Sequence, residues 1–190
     1  MMRDFNNPGK LFLVLFTLQR KLSGKTMRNY CDSLGLSGHE HVLEPGSGTG
    51  ALTGFLSRKL SKGGSVTCVD PSMPLMDIAR RELKYANNVI FVPGVIHGIK
   101  AQPKGFDACV IHYMLHDINP CEREAFLEKV NTLLSNDGYV YIREPIAKRH
   151  GIAVGELSSL MRDAGFREVS SSVKNGIISW SYMTAVYRKV

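Results

Sequence analysis

The stretch HVLEPGSGTGALTGFL, residues 41–56, places glycines and a carboxylate at a spacing that binds cofactors. Gly46, Gly48 and Ala51 fit G-x-G-x-x-[GA], the dinucleotide-binding fingerprint. Read together with Glu44 and Gly50, the same residues form E-x-G-x-G-x-G. The glycines allow a tight turn and a close approach of backbone to ligand under either reading. Glu44 separates the two. A nicotinamide fingerprint ends its strand on an apolar residue, because pyrophosphate oxygens pack against the loop. Two unit charges about 5 Å apart interact by roughly 3 kcal/mol at an effective dielectric of about 20. A carboxylate at this place therefore repels phosphates and favours a ligand with a cationic end.

S-adenosylmethionine meets that requirement, with a sulfonium, an α-ammonium and a ribose that needs a hydrogen-bond acceptor. Asp70 ends the next strand-like run, SVTCVD, at a distance suited to both ribose hydroxyls. An acid there serves NAD equally, so Asp70 alone does not discriminate. The alternative for Glu44 is a carboxylate that caps the following helix.

A second polar cluster follows the strand-like FDACVIH at IHYMLHDIN. His112, Tyr113, His116 and Asp117 are a dense polar and aromatic group. His112 or His116 is a candidate general base, since imidazole titrates near neutral pH. The alternative is that both shape a pocket. Arg143 and Glu144 end GYVYIRE, facing a substrate or forming a strand-end ion pair. Tyr30 is a further substrate candidate; with Cys31 it otherwise belongs to a core-facing stripe. No cysteine or histidine spacing suggests a metal site.

These groups must be positioned by the elements around them. Residues 10–23 and 25–36 read as short helices. Beyond these helices strand and helix alternate, with strands at 41–44, 65–70, 89–93, 106–112 and 138–144. Helices fall between them, over 72–86, 120–135 and 154–164, as well as after the glycine loop. This order predicts an α/β fold, a doubly wound, mostly parallel sheet with helices on both faces. FREVSSSV and ISWSYMTAVYRKV flank Lys174-Asn175-Gly176, a hairpin signal that makes the last pair antiparallel.

Composition agrees with one domain: 190 residues, 44% hydrophobic and 22% charged, with a helical lid expected over 1–37 and the core over 38–190. The net charge of +7 permits nucleic acid as a partner. The basic residues are scattered rather than concentrated in a stripe, which disfavours it. Four cysteines without paired spacing and no signal-peptide pattern point to a reducing cytoplasm. KLFLVLFTLQRKL, near the N-terminus, reads either as a helix packed on the active-site edge or as a peripheral membrane contact.

VLEPGSGTG, VTCVDPSMPLMDIARREL and GFDACVIHYMLHDINPCEREAFLEKVNTLLSNDGYVYIREP together resemble class I S-adenosylmethionine-dependent methyltransferases. The similarity covers residues 40–190 and is nearest to the small type 11 and ubiquinone-biosynthesis-like groups. It implies a Rossmann-like, seven-stranded sheet with an antiparallel C-terminal strand. By position, it implies that Glu44, Gly46, Ser47, Gly48 and Gly50 line the methionine half of S-adenosylmethionine. Asp70 would hold the ribose, with Pro71, Ser72 and Met76 beside the adenine. Val95 and Ile96 occupy the slots where the family often carries an acid for the adenine amino group.

The resulting expectation is in-line methyl transfer to a small-molecule acceptor by a monomer or homodimer. A peripheral phospholipid amine N-methyltransferase and a non-catalytic cofactor- or RNA-binding scaffold are the alternatives. No Asn/Asp-Pro-Pro-Tyr/Phe motif of base-amino methyltransferases follows residue 112.

Overall fold

A computed structural model describes residue 9 and residues 24–100, 105–146, 151–175 and 181–190. The expected helix over 10–23, the apolar basic-flanked segment and the tip of the last hairpin lie outside these residues. Seven strands form one sheet in the order β3-β2-β1-β4-β5-β7-β6. The chain divides into two compact units, Met1–Val95 and Ile96–Val190.

In the first unit, β1 (His41–Pro45), β2 (Ser65–Asp70) and β3 (Val89–Pro93) run parallel. Val42 and Leu43 of β1 are both fully buried, the signature of a strand covered on both faces. That burial extends along β1 to Glu44. Helix α1 (Gly24–Ser33) buries Tyr30 and Cys31 and packs on α2 (Thr53–Lys59). Helix α3 (Met73–Glu82) follows β2, with Pro74 in its first turn, where a missing N–H costs nothing. Its Leu75, Met76 and Ala79 form the buried face. Asn88 locks the far end of the unit, donating to the carbonyls of Ser57, Leu60 and Gly64 and accepting from the Ser57 hydroxyl.

In the second unit, β4 (Phe106–His112) is parallel to β5 (Leu134–Pro145). β7 (Ser181–Lys189) runs antiparallel to β5 on one side and to β6 (Phe166–Asn175) on the other. The predicted hairpin pair is present, with Asn175 opposite Ser181. Its second strand lies inside the sheet rather than at its edge. Helix α4 (Arg123–Leu133) buries Phe126, Leu127, Val130 and Leu133 and packs on α5 (Val154–Asp163), which rests on β6.

The helix expected over 120–135 is shorter at both ends. Its first residues form a 3-10 turn, Pro120–Glu122, and Leu134 is already extended. Tertiary pairing explains the early end. Leu134 pairs with Phe106, so β5 begins where helical periodicity alone continues the helix. Gly105 makes that approach feasible: a Cβ on it would lie 2.5 Å from the Ser135 nitrogen. Among the described residues no helix is long and apolar enough to cross a membrane.

Gly50 of the glycine loop packs closely against the C-terminal end of α3. Its φ is +74°, and a Cβ there would lie 2.9 Å from Leu83 Cδ1 and 3.1 Å from Ala79 Cβ. Gly50→Ala is expected to destabilise the protein by about 1–3 kcal/mol through backbone strain and overpacking. A lower urea midpoint would register the loss.

Candidate functional site

The first cluster lies where β1 and β2 end. Gly46, Gly48 and Gly50 all have positive φ, 69°, 55° and 74°, a region that costs residues with a Cβ about 1–2 kcal/mol. This pattern selects the E-x-G-x-G-x-G reading, because the backbone specifically requires glycine at position 50. The loop is hung from β2: Gly46 and Ser47 donate their N–H groups to the Val69 carbonyl at 2.8 and 3.2 Å.

Asp70, expected to hold ribose, is buried and organises both neighbouring loops. Its Oδ2 accepts the Gly48 N–H at 2.8 Å and its Oδ1 accepts the Ser72 N–H at 2.9 Å. Each carboxylate oxygen has two lone pairs, so one remains on each for a ligand donor. Burial raises the Asp70 pKa, and the hydrogen bonds from Ser72 and Gly48 oppose the rise.

Glu44 differs. Its side chain is buried, with the residue 3% exposed, and Oε2 has no hydrogen-bond partner. Burial pushes its pKa up to about 8; the Thr53 hydroxyl opposes the rise and the Asp70 charge adds to it. The hydroxyls of Ser47, Thr49 and Ser72 are also buried without partners. Buried polar atoms are normally satisfied, and each exception calls for a ligand, a water or a functional reason. The Glu44 oxygen near the end of β1 and three hydroxyls on the loops after β1 and β2 fit a polar ligand carrying both a cation and hydroxyl groups.

Thr49 was not among the sequence candidates, whereas Ser72 was placed beside the adenine by the family resemblance. Their signal was present as hydroxyl residues beside the glycines and after Asp70. Pro71 is exposed, whereas Met76 is fully buried on the core face of α3. Val95, the last residue of the first unit, is exposed, and Ile96, the first residue of the second, is buried. Tyr30 is buried on α1.

The second cluster, in the second unit, stands where β4 and β5 end. Glu144, considered above as a substrate contact, is fully buried and engaged by loop donors. Oε1 accepts the N–H groups of Met114 and Leu115 at 2.7 and 2.8 Å. Oε2 accepts from His116 Nδ1 at 2.6 Å, with the His116 N–H at 3.4 Å. This geometry makes Glu144 a positioning group for the 113–117 loop. Arg123 holds the same loop from α4, donating to the carbonyls of His116 and Ile118, both at 3.1 Å.

Tyr113 carries the strain of this arrangement. Its φ is +52°, unusual for a bulky residue, and its N–H donates to the Arg143 carbonyl at 2.8 Å. Its ring meets His112 edge-on at 4.5 Å. The Arg143 guanidinium lies 5.4 Å from the Tyr113 ring centre and 4.3 Å from that of Tyr182.

The two histidines separate chemically. Burial, and then the Arg143 charge, push the His112 pKa down to about 3, so its imidazole is neutral and a weak base at ordinary pH. Burial also lowers the His116 pKa, but the Glu144 hydrogen bond and charge, aided by Asp117, outweigh it and hold the value above ordinary histidine. Among the described residues no cluster could hold a metal ion.

A family model described as a methyltransferase domain matches residues 42–138, which include both clusters up to Asp117. The chain is 27% identical over 161 residues to the candidate methyltransferase YrhH of Bacillus subtilis (strain 168), covering 84% of this chain and 86% of that protein. It is 33% identical over 93 residues to the demethylmenaquinone methyltransferase of Tropheryma whipplei (strain Twist). That match covers 48% of this chain and 37% of the relative, so the chain spans little more than a third of that protein. Among solved structures, one similar fold is the 1,6-didemethyltoxoflavin-N1-methyltransferase of Burkholderia thailandensis, crystallised with 1,6-didemethyltoxoflavin and S-adenosylhomocysteine. Its TM-score is 0.74 at 22% identity, over 90% of this chain and 80% of that one.

The Glu44 charge state has a stability signature. Below pH about 4.5 the carboxyl is protonated whether the chain is folded or unfolded. Between 4.5 and about 8 the unfolded chain releases the proton while the folded protein keeps it, so stability falls as pH rises. Glu44→Gln removes this slope. The variant should gain roughly 2–5 kcal/mol on wild type between pH 5 and pH 8. Urea melts of both proteins at the two pH values measure the difference, from which the opposite slope due to His112 cancels.

Proposed function

The chain belongs to the methyltransferase domain family, the class I S-adenosylmethionine-dependent methyltransferases, and we propose that the Glu44–Gly50 and Asp70–Ser72 loops hold the cofactor for transfer to a small-molecule acceptor. The observation that carries the residue assignment is the unpartnered, buried Oε2 of Glu44 beside a loop of three positive-φ glycines. When bound, S-adenosylmethionine supplies an electrophilic methyl carbon on a sulfonium, whose carbon–sulfur bond breaks with its electrons passing to sulfur.

In this reading Glu44 faces the cationic end of the ligand. Ligand-free Glu44 retains its proton at neutral pH, so a cation that favours the carboxylate drives that proton off. Asp70 accepts from the ribose hydroxyls with the lone pairs its loop amides leave over. Ser47, Thr49 and Ser72 supply hydroxyls to the remaining polar edges. The second cluster serves the acceptor, with Tyr113 as the exposed aromatic surface. A small acceptor agrees with the length of chain after β5, about twenty residues before β6, which leaves little room for an inserted acceptor-binding subdomain. We place the protein in the cytoplasm on the unpaired spacing of its cysteines, none of which is in a disulfide among the described residues.

Isothermal titration calorimetry tests the cofactor assignment. S-adenosylmethionine and S-adenosylhomocysteine are expected to bind, and NAD is not. At pH 7, titrations in buffers of different ionisation enthalpy should reveal release of up to one proton. Glu44→Gln should abolish that release and weaken binding by about 10–100-fold, the loss expected for a hydrogen-bonded charge pair. Binding of NAD without either adenosyl ligand would refute the assignment.

A further inference from the structure

We infer that His116, held by Glu144, is the proton acceptor for the methyl acceptor, and that this acceptor is a hydroxyl or amine that loses a proton as it is methylated. The inference rests on the methyl-transfer reading above and goes beyond it by naming the base and the class of acceptor atom.

The geometry assigns opposite functions to the two imidazole nitrogens. Nδ1 lies 2.6 Å from Glu144 Oε2 and donates its proton to that carboxylate. The neutral ring is thereby held as the Nδ1–H tautomer, leaving the Nε2 lone pair as the acceptor. Nε2 makes no hydrogen bond among the described residues; its nearest charged neighbour is Asp117 Oδ1 at 3.6 Å. A carboxylate behind one nitrogen and a vacant lone pair on the other is the arrangement by which a histidine accepts a proton and its imidazolium is stabilised.

His112 does not offer this. Its nearby charge is the Arg143 guanidinium, which opposes protonation. The charged groups facing His116 are Glu144 from β5, Asp117 from its own turn and Arg123 from α4. Two carboxylates against one guanidinium favour the protonated ring.

The proton balance follows. The acceptor O–H or N–H atom forms its bond to the methyl carbon as the carbon–sulfur bond breaks. Its proton passes to Nε2, and the resulting imidazolium spans Nε2–H and the Nδ1–H bond to Glu144. The proton then leaves to solvent, restoring the neutral ring. A thiolate acceptor arrives already deprotonated and has no use for such a base.

Two measurements test the proposal. Nitrogen-detected NMR of the ligand-free protein should show neutral His116 as the Nδ1–H tautomer, with a pKa above ordinary histidine that falls in Glu144→Gln. An Nε2–H tautomer, or a pKa unchanged in Glu144→Gln, overturns the assignment. Methyl transfer is then followed with S-adenosylmethionine and a panel of phenols, aliphatic alcohols, primary amines and thiols. Transfer to hydroxyl or amine probes is expected. In His116→Gln, which leaves the Glu144 bonds to Met114 and Leu115 in place, kcat should fall about 100-fold or more with KM little changed. The acid limb of kcat/KM should move to lower pH in Glu144→Gln. Transfer to thiols alone, to no hydroxyl or amine probe, or at wild-type rates by His116→Gln overturns the proposal. Calorimetry with S-adenosylmethionine on each variant keeps the outcomes separate: retained binding with altered transfer concerns His116, whereas absent binding in wild type concerns the cofactor reading itself.

Discussion

Loop amides must find acceptors, and in this protein two carboxylates at strand ends supply them. Asp70, ending β2, takes one N–H from the glycine loop and one from the loop that starts α3. Glu144, next to last in β5, takes N–H groups from the turn that follows β4. Within each unit, parallel strands bring the starts of their outgoing loops to one end, where amides accumulate. A buried amide without an acceptor costs about 1–3 kcal/mol, so these two side chains decide whether the loops have one conformation or several. Glu44 is the third strand-end carboxylate and the exception. Among the described residues its Oε2 accepts no hydrogen bond. The contrast among three chemically similar groups separates the two carboxylates that hold loops from the one proposed to meet the cofactor.

The charge on that third carboxylate changes the electrostatic argument made from sequence. A standing negative charge would by itself repel phosphates. Burial instead holds the proton on Glu44 near neutral pH, and a protonated carboxyl can donate to a phosphate oxygen. In the proposed cofactor site, selection for a cation therefore does not reside in a fixed charge. It resides in linkage: a cation gains by ionising Glu44, whereas an anion must leave it neutral. The same group makes the empty protein less stable as pH rises toward 8. With the cofactor assignment proposed above, stability and ligand affinity pull in opposite directions at one side chain, a common feature of binding sites.

Much of the arrangement was legible from residue types and spacing. Asn175-Gly176 announced the antiparallel pair, and the alternation of apolar runs announced the parallel strands. The glycine loop, too, was legible as a tight turn, because positive φ at positions 46, 48 and 50 is a local demand that only glycine meets cheaply. What remained hidden depends on contacts between distant residues. Leu134 has the periodicity of a helix end, yet it pairs with Phe106 across the sheet. Glu144 has the look of a substrate ligand, and only the donors from residues 114–116, thirty positions earlier, reveal its actual work. His112 and His116 were equivalent candidates as letters. Arg143 beside one and Glu144 beside the other separate them, and neither neighbour is local in sequence.

The turn after β4 shows why such separation matters for chemistry. It is held from β5 by Glu144 and from α4 by Arg123, while Arg123 is itself paired with Glu156 of α5. Tyr113 enters this turn through a backbone conformation that costs about 1–3 kcal/mol, so the surrounding bonds must outweigh it. A turn fixed from both sides would present its side chains already ordered to the acceptor proposed above. Methyl transfer in line is sensitive to placement of the attacking atom, and much of its acceleration comes from positioning prepaid during folding. The strain at Tyr113 and the buried carboxylate of Glu144 are therefore two halves of one device: the first re-aims the chain out of β4, and the second holds it there.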